Sequence, residues 1–271
     1  LASGLPYGLT LIAFYLTSSK LTRWRAELKA RLEEGHLAGG QRNAAQVLAN
    51  SGLGCCLALA AAAPTYLPAL SGDSGRWRAA TQLGFLGFYA CCCGDTWSSE
   101  VGIASRGRPR LITTWRAVPP GTNGGISLLG TLAAGMGGAL VGACFWAASA
   151  VALRLGVSLE AAHAAEPTAA EAAGGHACLA ALAGWRAVPL ALAAGVCGSL
   201  LDSLLGATLQ YSGLDTQTGR VVSRPPAAVP GAAAVKHISG RSVLSNTGVN
   251  VAASALTSAA TAAAGMWLLG C

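Results

Sequence analysis

Charge is what this chain has least of: Asp, Glu, Lys and Arg make up 11% of its 271 residues, against about a quarter in an ordinary soluble domain. So thin a polar coat cannot keep a globular protein in water. The nine cysteines include no C-x2-C pair, and no histidine lies at metal-ligand spacing from any of them, so no zinc or redox centre is spelled out. Cys55-Cys56 and Cys91-Cys92-Cys93 read instead as small apolar helix residues. No Ser-His-Asp or Cys-His grouping for nucleophilic catalysis can be assembled from the four histidines. A Walker A loop is absent too, because no glycine-rich turn ends in Gly-Lys-Ser or Gly-Lys-Thr. The net charge of +7 would suit nucleic acid, but the basic residues neither interleave with aromatics nor match a binding motif, which excludes that partner.

What is present is apolar: 53% of the residues are hydrophobic and the mean hydropathy is +0.50. Alanine and glycine supply much of this, as in transmembrane helices that pack closely through small residues. The composition predicts an all-α, polytopic integral membrane protein whose partner is the lipid bilayer. Residues 1–271 form a single transmembrane domain. The chain starts at Leu1, which reads as the start of a fragment with a truncated N-terminus.

Six spans are expected, at about 3–19, 45–63, 79–93, 126–150, 179–209 and 247–269. Pro189 inside the long fifth segment predicts a kink or break. Residues 20–43 alternate Lys20, Arg23, Arg25, Lys29 and Arg31 with three glutamates, and Leu21, Trp24, Leu28 and Leu32 recur at spacings of three and four, which predicts an amphipathic interfacial helix. Arg42, Gln46 and Asn50 share a helix face where the chain re-enters the membrane. Residues 156–176 hold Glu160, Glu166 and Glu171 with no Lys or Arg, and read as an external loop. Six crossings then place loops 20–43, 94–125 and 211–246 on one face, with fourteen of the eighteen Lys and Arg residues. By the positive-inside rule that face is cytoplasmic.

Three polar sets on this face carry candidate chemistry. Asp95 and Glu100 offer hard oxygen ligands of the kind that hold Mg2+ beside substrate phosphates; the alternative is a solvated loop pair. Asp202 lies within an apolar helix at a depth similar to Asp95, where an ionisable group marks a functional site unless it serves a buried ion pair or a helix-helix hydrogen bond. Gly121-Thr122-Asn123-Gly124-Gly125 leads straight into a helix, so its backbone N–H groups either cradle an anion or form a tight turn with a helix cap. Arg110, Lys236 and Arg241 would neutralise phosphate. Asn246 and Asn250, one turn apart at the head of the sixth span, either pin helices together or face the site.

At these residues the sequence resembles the transmembrane protein 19 family, through Ser18-Ser19-Lys20-Leu21-Thr22, Gly39-Gly40-Gln41-Arg42-Asn43, Gly94-Asp95-Thr96-Trp97-Ser98-Ser99-Glu100-Val101-Gly102, Pro109-Arg110-Leu111-Ile112-Thr113-Thr114, Gly121 to Gly125, Asp202 to Tyr211 and His237-Ile238-Ser239-Gly240. The wider family includes plant and cyanobacterial phytyl-phosphate kinases. The resemblance therefore implies an isoprenoid-phosphate kinase: Asp95, Glu100 and Asp202 as catalytic, Mg2+-holding groups, a nucleoside triphosphate as phosphoryl donor, and an isoprenoid phosphate as acceptor. Asp95-x-x-Ser98-x-x-x-Gly102 is also similar to the Asp-x-x-Ala-x-x-x-Gly motif of CTP-dependent polyprenol kinases. Those enzymes continue with Lys-Lys-Thr-x-Glu-Gly where this chain has Gly121 to Gly125, which leaves the donor as CTP or another nucleoside triphosphate. A photosynthetic source would place the protein in the plastid envelope, any other in an endomembrane or the plasma membrane. The competing expectation is a transporter or structural membrane protein, with Asp202 and the asparagines lining a pathway.

Overall fold

The computed structural model describes residues 4–24, 43–66, 74–155, 182, 184–225 and 235–270. Among them are six long helices: α1 (Leu5–Trp24), α2 (Ala44–Tyr66), α3 (Ser74–Gly102), α4 (Leu128–Arg154), α5 (Ala187–Leu209) and α6 (Asn246–Leu269). Four of them, α2, α4, α5 and α6, are long and apolar enough to cross a membrane. The expected all-α membrane architecture is observed. The predicted amphipathic segment beyond Trp24, Arg42 and the external loop from residue 156 lie outside the described residues.

Helix α3 is the centre of the bundle, packed by α1, α2, α4, α5 and α6. Leu83, Phe85, Leu86, Phe88, Tyr89 and Cys91 to Cys93 are all buried along it. Contacts along α3 fix the direction of its neighbours. Tyr7 and Phe14 of α1 meet Phe85 and Tyr89 in order, with ring centroids 4.7 and 5.6 Å apart, so α1 runs with α3. Trp77 Nε1 donates to Ala60 O at 2.7 Å, while Gly54 lies against Tyr89, so α2 runs against it. Helix α6 also runs against it: Gly265 packs on Leu83, and Ser258 Oγ donates to Gly84 O at 2.8 Å. The ends of α3 and α5 and the starts of α4 and α6 share one face. There a Cβ on Gly102 would stand 3.3 Å from Gly130 Cα, and Gln210 Nε2 donates to Asn246 Oδ1 at 3.4 Å.

Small residues make this packing possible. A Cβ on Gly94 would lie 2.8 Å from Gly195 O and 3.0 Å from Ala134 O, so the backbones of α3, α4 and α5 touch where bulkier residues would hold them apart. The face of α6 turned to α3 carries Ser254, Thr257, Ser258 and Thr261, all buried. Lipid-side positions such as Leu132, Met136, Leu256 and Trp267 are exposed, as expected of side chains that meet hydrocarbon.

Four sequence expectations change. Gly94 to Gly102 was expected to open a loop and instead completes α3, because Gly94 serves close packing and no proline follows to stop the helix. The fifth segment is interrupted by a turn at residues 184–186 and α5 begins at Ala187, so Pro189 does not kink the helix but falls in its first turn, where its missing N–H is no loss. Helix α1 continues past residue 19 to Trp24. Finally, the polar loops contain short strands. β1 (Arg110–Leu111) pairs with β2 (Gly125–Ile126). β3 (Ser212–Asp215) lies between β4 (Val221–Val222) and β5 (Val235–Ser239), antiparallel to both. At the start of α2, Asn43 and Gln46 exchange side-chain bonds, Gln46 N to Asn43 Oδ1 at 2.9 Å and Asn43 N to Gln46 Oε1 at 3.0 Å. This is a reciprocal cap that satisfies two first-turn donors.

Candidate functional site at the crossing of α3 and α5

Helices α3 and α5 are in close contact at Cys91 to Gly94 and Gly195 to Gly198; a Cβ on Gly198 would meet Cys91 Sγ at 2.6 Å. One turn beyond Cys91 is Asp95, and one turn beyond Gly198 is Asp202. A residue four positions on projects over the same helix face. The crossing therefore sets the two carboxylates on facing turns of α3 and α5 from positions more than a hundred residues apart. They lie near enough for Asp95 to act on Asp202 electrostatically, and for both to act on Cys91. Both are half-buried.

Asn250 of α6 completes the group. With its amide nitrogen turned to the two acceptors, it donates to Asn246 O at 3.0 Å and to Asp202 Oδ2 at 3.2 Å, whereas the opposite orientation would set oxygen against oxygen. Asn246 Oδ1 accepts from the buried Gln210 at the end of α5. Gln210 was not singled out in the sequence; its signal is an amide closing an apolar helix.

Two loops cover this end of α5. The hairpin β1–β2 buries Leu111 and Val118 against Ala207, with Ile112 and Ile238 beside them. Its Gly121 to Gly125 turn sits directly on the helix. Gly124 has φ +79°, and a Cβ there would meet Ser203 O at 2.6 Å, so only glycine fits. Asn123 ties the turn across to β3, its N–H donating to Ser212 Oγ and its Nδ2 to Tyr211 O, both at 3.1 Å. From the other side, Arg241 N donates to Thr208 O, and Val243 N and Leu244 N to Leu209 O, each at 3.0 Å. These bonds satisfy carbonyls that the helix end leaves unmatched.

The remaining sequence candidates take the following places. Glu100 is buried, at 4% exposure, and lies five positions beyond Asp95, about 140° further round the helix. Among the described residues no three of His, Cys, Asp and Glu gather as a metal-holding group, and Glu100 lies on another side of α3 from Asp95. A pair suits Mg2+, which binds through one or two carboxylates together with substrate oxygens and water. In the glycine turn, three N–H groups are already committed: Thr122 N to Pro119 O at 3.3 Å, Asn123 N to Ser212 Oγ at 3.1 Å, and Gly125 N to Thr122 O at 3.0 Å. Arg110 is exposed, and its Nη1 donates to Trp115 O at the hairpin's own tip, at 2.8 Å. Lys236 and Arg241 are exposed on the same loop cluster.

Electrostatics outside the helices centre on Asp215 in β3. Its carboxylate accepts from Thr218 Oγ1 at 2.7 Å and Gln217 N at 2.9 Å. These bonds, the Thr218 hydroxyl first, hold its carboxyl below the ordinary carboxylate range.

Comparison with known proteins follows the same lines. No solved structure matches the chain. Protein PGR of Arabidopsis thaliana is 40% identical over 268 residues, covering 98% of this chain and 84% of that protein. An uncharacterized membrane protein of Methanocaldococcus jannaschii is 47% identical over 60 residues, 22% of this chain and 25% of that one. Protein VTE6, chloroplastic, of Arabidopsis thaliana is 29% identical over 125 residues, 46% of this chain and 35% of that protein. Residues 1–258 match the family described as Integral membrane protein DUF92. In keeping with the transmembrane protein 19 resemblance read from its motifs, the chain belongs to this DUF92 family of integral membrane proteins.

Proposed function

We propose that this protein is an isoprenoid-phosphate kinase, which uses Mg2+ and a nucleoside triphosphate, CTP or another, to convert a membrane-held isoprenoid monophosphate, phytyl phosphate or a close analogue, to its diphosphate. The observation that carries the reading is the meeting of Asp95 and Asp202 at the crossing of α3 and α5. Two half-buried carboxylates brought to facing turns of neighbouring helices repel each other, and a cation between them relieves that repulsion. Mg2+, the cation that phosphoryl transfer uses, would be held here by Asp95 and Asp202. When bound, it would supply charge neutralisation on the transferring group.

This chain's own residues would do the rest. Asp95 and Asp202 would hold the cation at the membrane edge of the loop face. Glu100, on another side of α3, would act at the end of that helix rather than as a third ligand. Arg110, Lys236 and Arg241 would meet phosphate from the loops. In the Gly121 to Gly125 turn, Gly121 would supply backbone contact, since Thr122, Asn123 and Gly125 already donate within the protein and Gly124 is pressed on α5. The acceptor's phosphate oxygen attacks the terminal phosphorus, and the bond to the nucleoside diphosphate breaks. Because that oxygen is already anionic, no general base is needed. The isoprenoid tail would lie along the apolar outer faces of α5 and α6, where Leu204, Val251 and Leu256 are exposed. The chloroplast name of one relative favours the plastid envelope for a photosynthetic source, and an endomembrane or the plasma membrane otherwise.

The test is purified protein with Mg2+, labelled CTP or ATP, and phytyl, geranylgeranyl or farnesyl phosphate. Label appearing in an isoprenoid diphosphate is expected. No diphosphate from any pairing contradicts the proposal.

A further inference from the structure

Asp202 is not held by α5 alone. Helix α6 presents a polar stripe at spacings of three and four: Asn246, Asn250, Ser254, Thr257 and Thr261. Thr257 and Thr261 pack against Gly87, and the neighbouring Ser258 Oγ donates to Gly84 O at 2.8 Å, so this stripe is pressed against α3. Asn250 is thereby fixed in place, with its backbone inside the helix and its amide nitrogen shared between Asn246 O at 3.0 Å and Asp202 Oδ2 at 3.2 Å. One turn earlier, Asn246 is tied by Gln210 to the end of α5. The two helices that deliver Asp202 and its donor are thus locked together at both turns.

A carboxylate has two oxygens, and a neutral amide that engages one of them leaves the other for a cation. We propose that Asn250 is the positioning residue of the site: its Nδ2 holds Asp202 Oδ2 and aims the remaining Asp202 oxygen at the cation shared with Asp95. The amide adds no charge, so it orients Asp202 without competing for the metal, as hydrogen-bonding partners outside the ligand set orient metal-binding carboxylates elsewhere. This rests on the proposed reading of Asp95 and Asp202 as a cation site, and it adds a residue that touches neither the metal nor the substrate.

Binding of Mn2+, a spectroscopic substitute for Mg2+, tests it directly. Free Mn2+ is followed by electron paramagnetic resonance on the purified full chain in detergent. Wild-type protein is expected to bind Mn2+, and Asp202→Asn to lose binding. Asn250→Leu keeps the side-chain volume but removes the donor, and is expected to weaken Mn2+ binding by about 10- to 100-fold. Asn250→Ser keeps a donor on a shorter arm and should weaken it less. If the leucine variant does not elute as a single species, Asn250→Ala takes its place with the same expectation. Three results overturn the proposal: a donor-free variant that binds Mn2+ as tightly as wild type while Asp202→Asn does not, a serine variant as weak as the leucine one, or a wild-type protein that binds no Mn2+. Mn2+ binding that depends on Asn250 without any diphosphate product would instead sink the kinase reading and leave the positioning role standing.

Discussion

Substituting Gly94 by alanine probes the packing that creates the site. The new Cβ would lie 2.8 Å from Gly195 O, and 3.0 Å from both Ala134 O and Gly195 Cα. All three are backbone atoms, so no side chain can rotate away. Restoring a contact of about 3.5 Å would take a helix displacement of roughly 0.5 to 0.7 Å. Overpacking of this kind costs about 1–3 kcal/mol. The displacement also separates α3 from α5 one residue before Asp95. Since a 1 Å misplacement can cost about 100-fold in rate, turnover should fall by roughly tenfold or more. Gly52→Ala is the matched control, because its Cβ meets nothing within 4 Å. Its higher helix propensity should leave stability unchanged or raised by up to about 1 kcal/mol. Unfolding by dodecyl sulfate, followed by circular dichroism, measures the first quantity, and label transfer to isoprenoid phosphate the second. A Gly94→Ala protein as stable and as active as Gly52→Ala would refute the reasoning.

Further predictions concern the loops and the topology. Cysteines placed at Ser105 and Leu155 in a cysteine-free background should be labelled from opposite sides of the membrane, because α4 lies between them; labelling of both from one side contradicts the alternation of the helices. Asn123→Ala removes the side-chain bond to Tyr211 O and should cost about 0.5–1.5 kcal/mol, read by the same unfolding assay. Asp215 has a folded-state pKa below its unfolded value. Its contribution is therefore fully present above an unfolded pKa of about 3.9 and is lost as pH falls through the lower, folded value. The melting-temperature advantage of wild type over Asp215→Asn should be constant above about pH 5 and shrink on acidification, and an advantage that grows with acid would contradict the assignment.

The helices were legible because long apolar runs have few alternative folds in a chain with so little charge. Their ends were less so. Gly94 looked like a helix stop, since glycine is a poor helix former, yet here it is the contact point with Gly195. The unbroken helix also changes how Asp95 and Glu100 relate: in a loop two acids five apart can converge, whereas on a helix they point about 140° apart. The apolar run from 179 to 209 does not show where its helix begins; the turn at 184–186 sets that start and puts Pro189 in the first turn of α5. The strands β1 to β5 are two to five residues long and too short to show a period of two. β1, β2 and β5 belong to loops that pack on α5. Asp95 and Asp202 were each visible as polar residues at similar depth, but their meeting depends on the glycine crossing of two helices, which one-dimensional pattern does not encode. The same holds for Asn250, whose bond to Asp202 joins α6 to α5 and is visible only in three dimensions.

The central claim is that Asp95 and Asp202 act as one site. Label transfer from a nucleoside triphosphate to phytyl phosphate, measured side by side for wild type, Asp95→Asn, Asp202→Asn and the double variant, tests it most directly. Residues that act as a unit are non-additive. Each single variant should therefore lose turnover to the level of the double while still inserting in the membrane. Full turnover in either single variant, or losses that multiply in the double, would contradict the account.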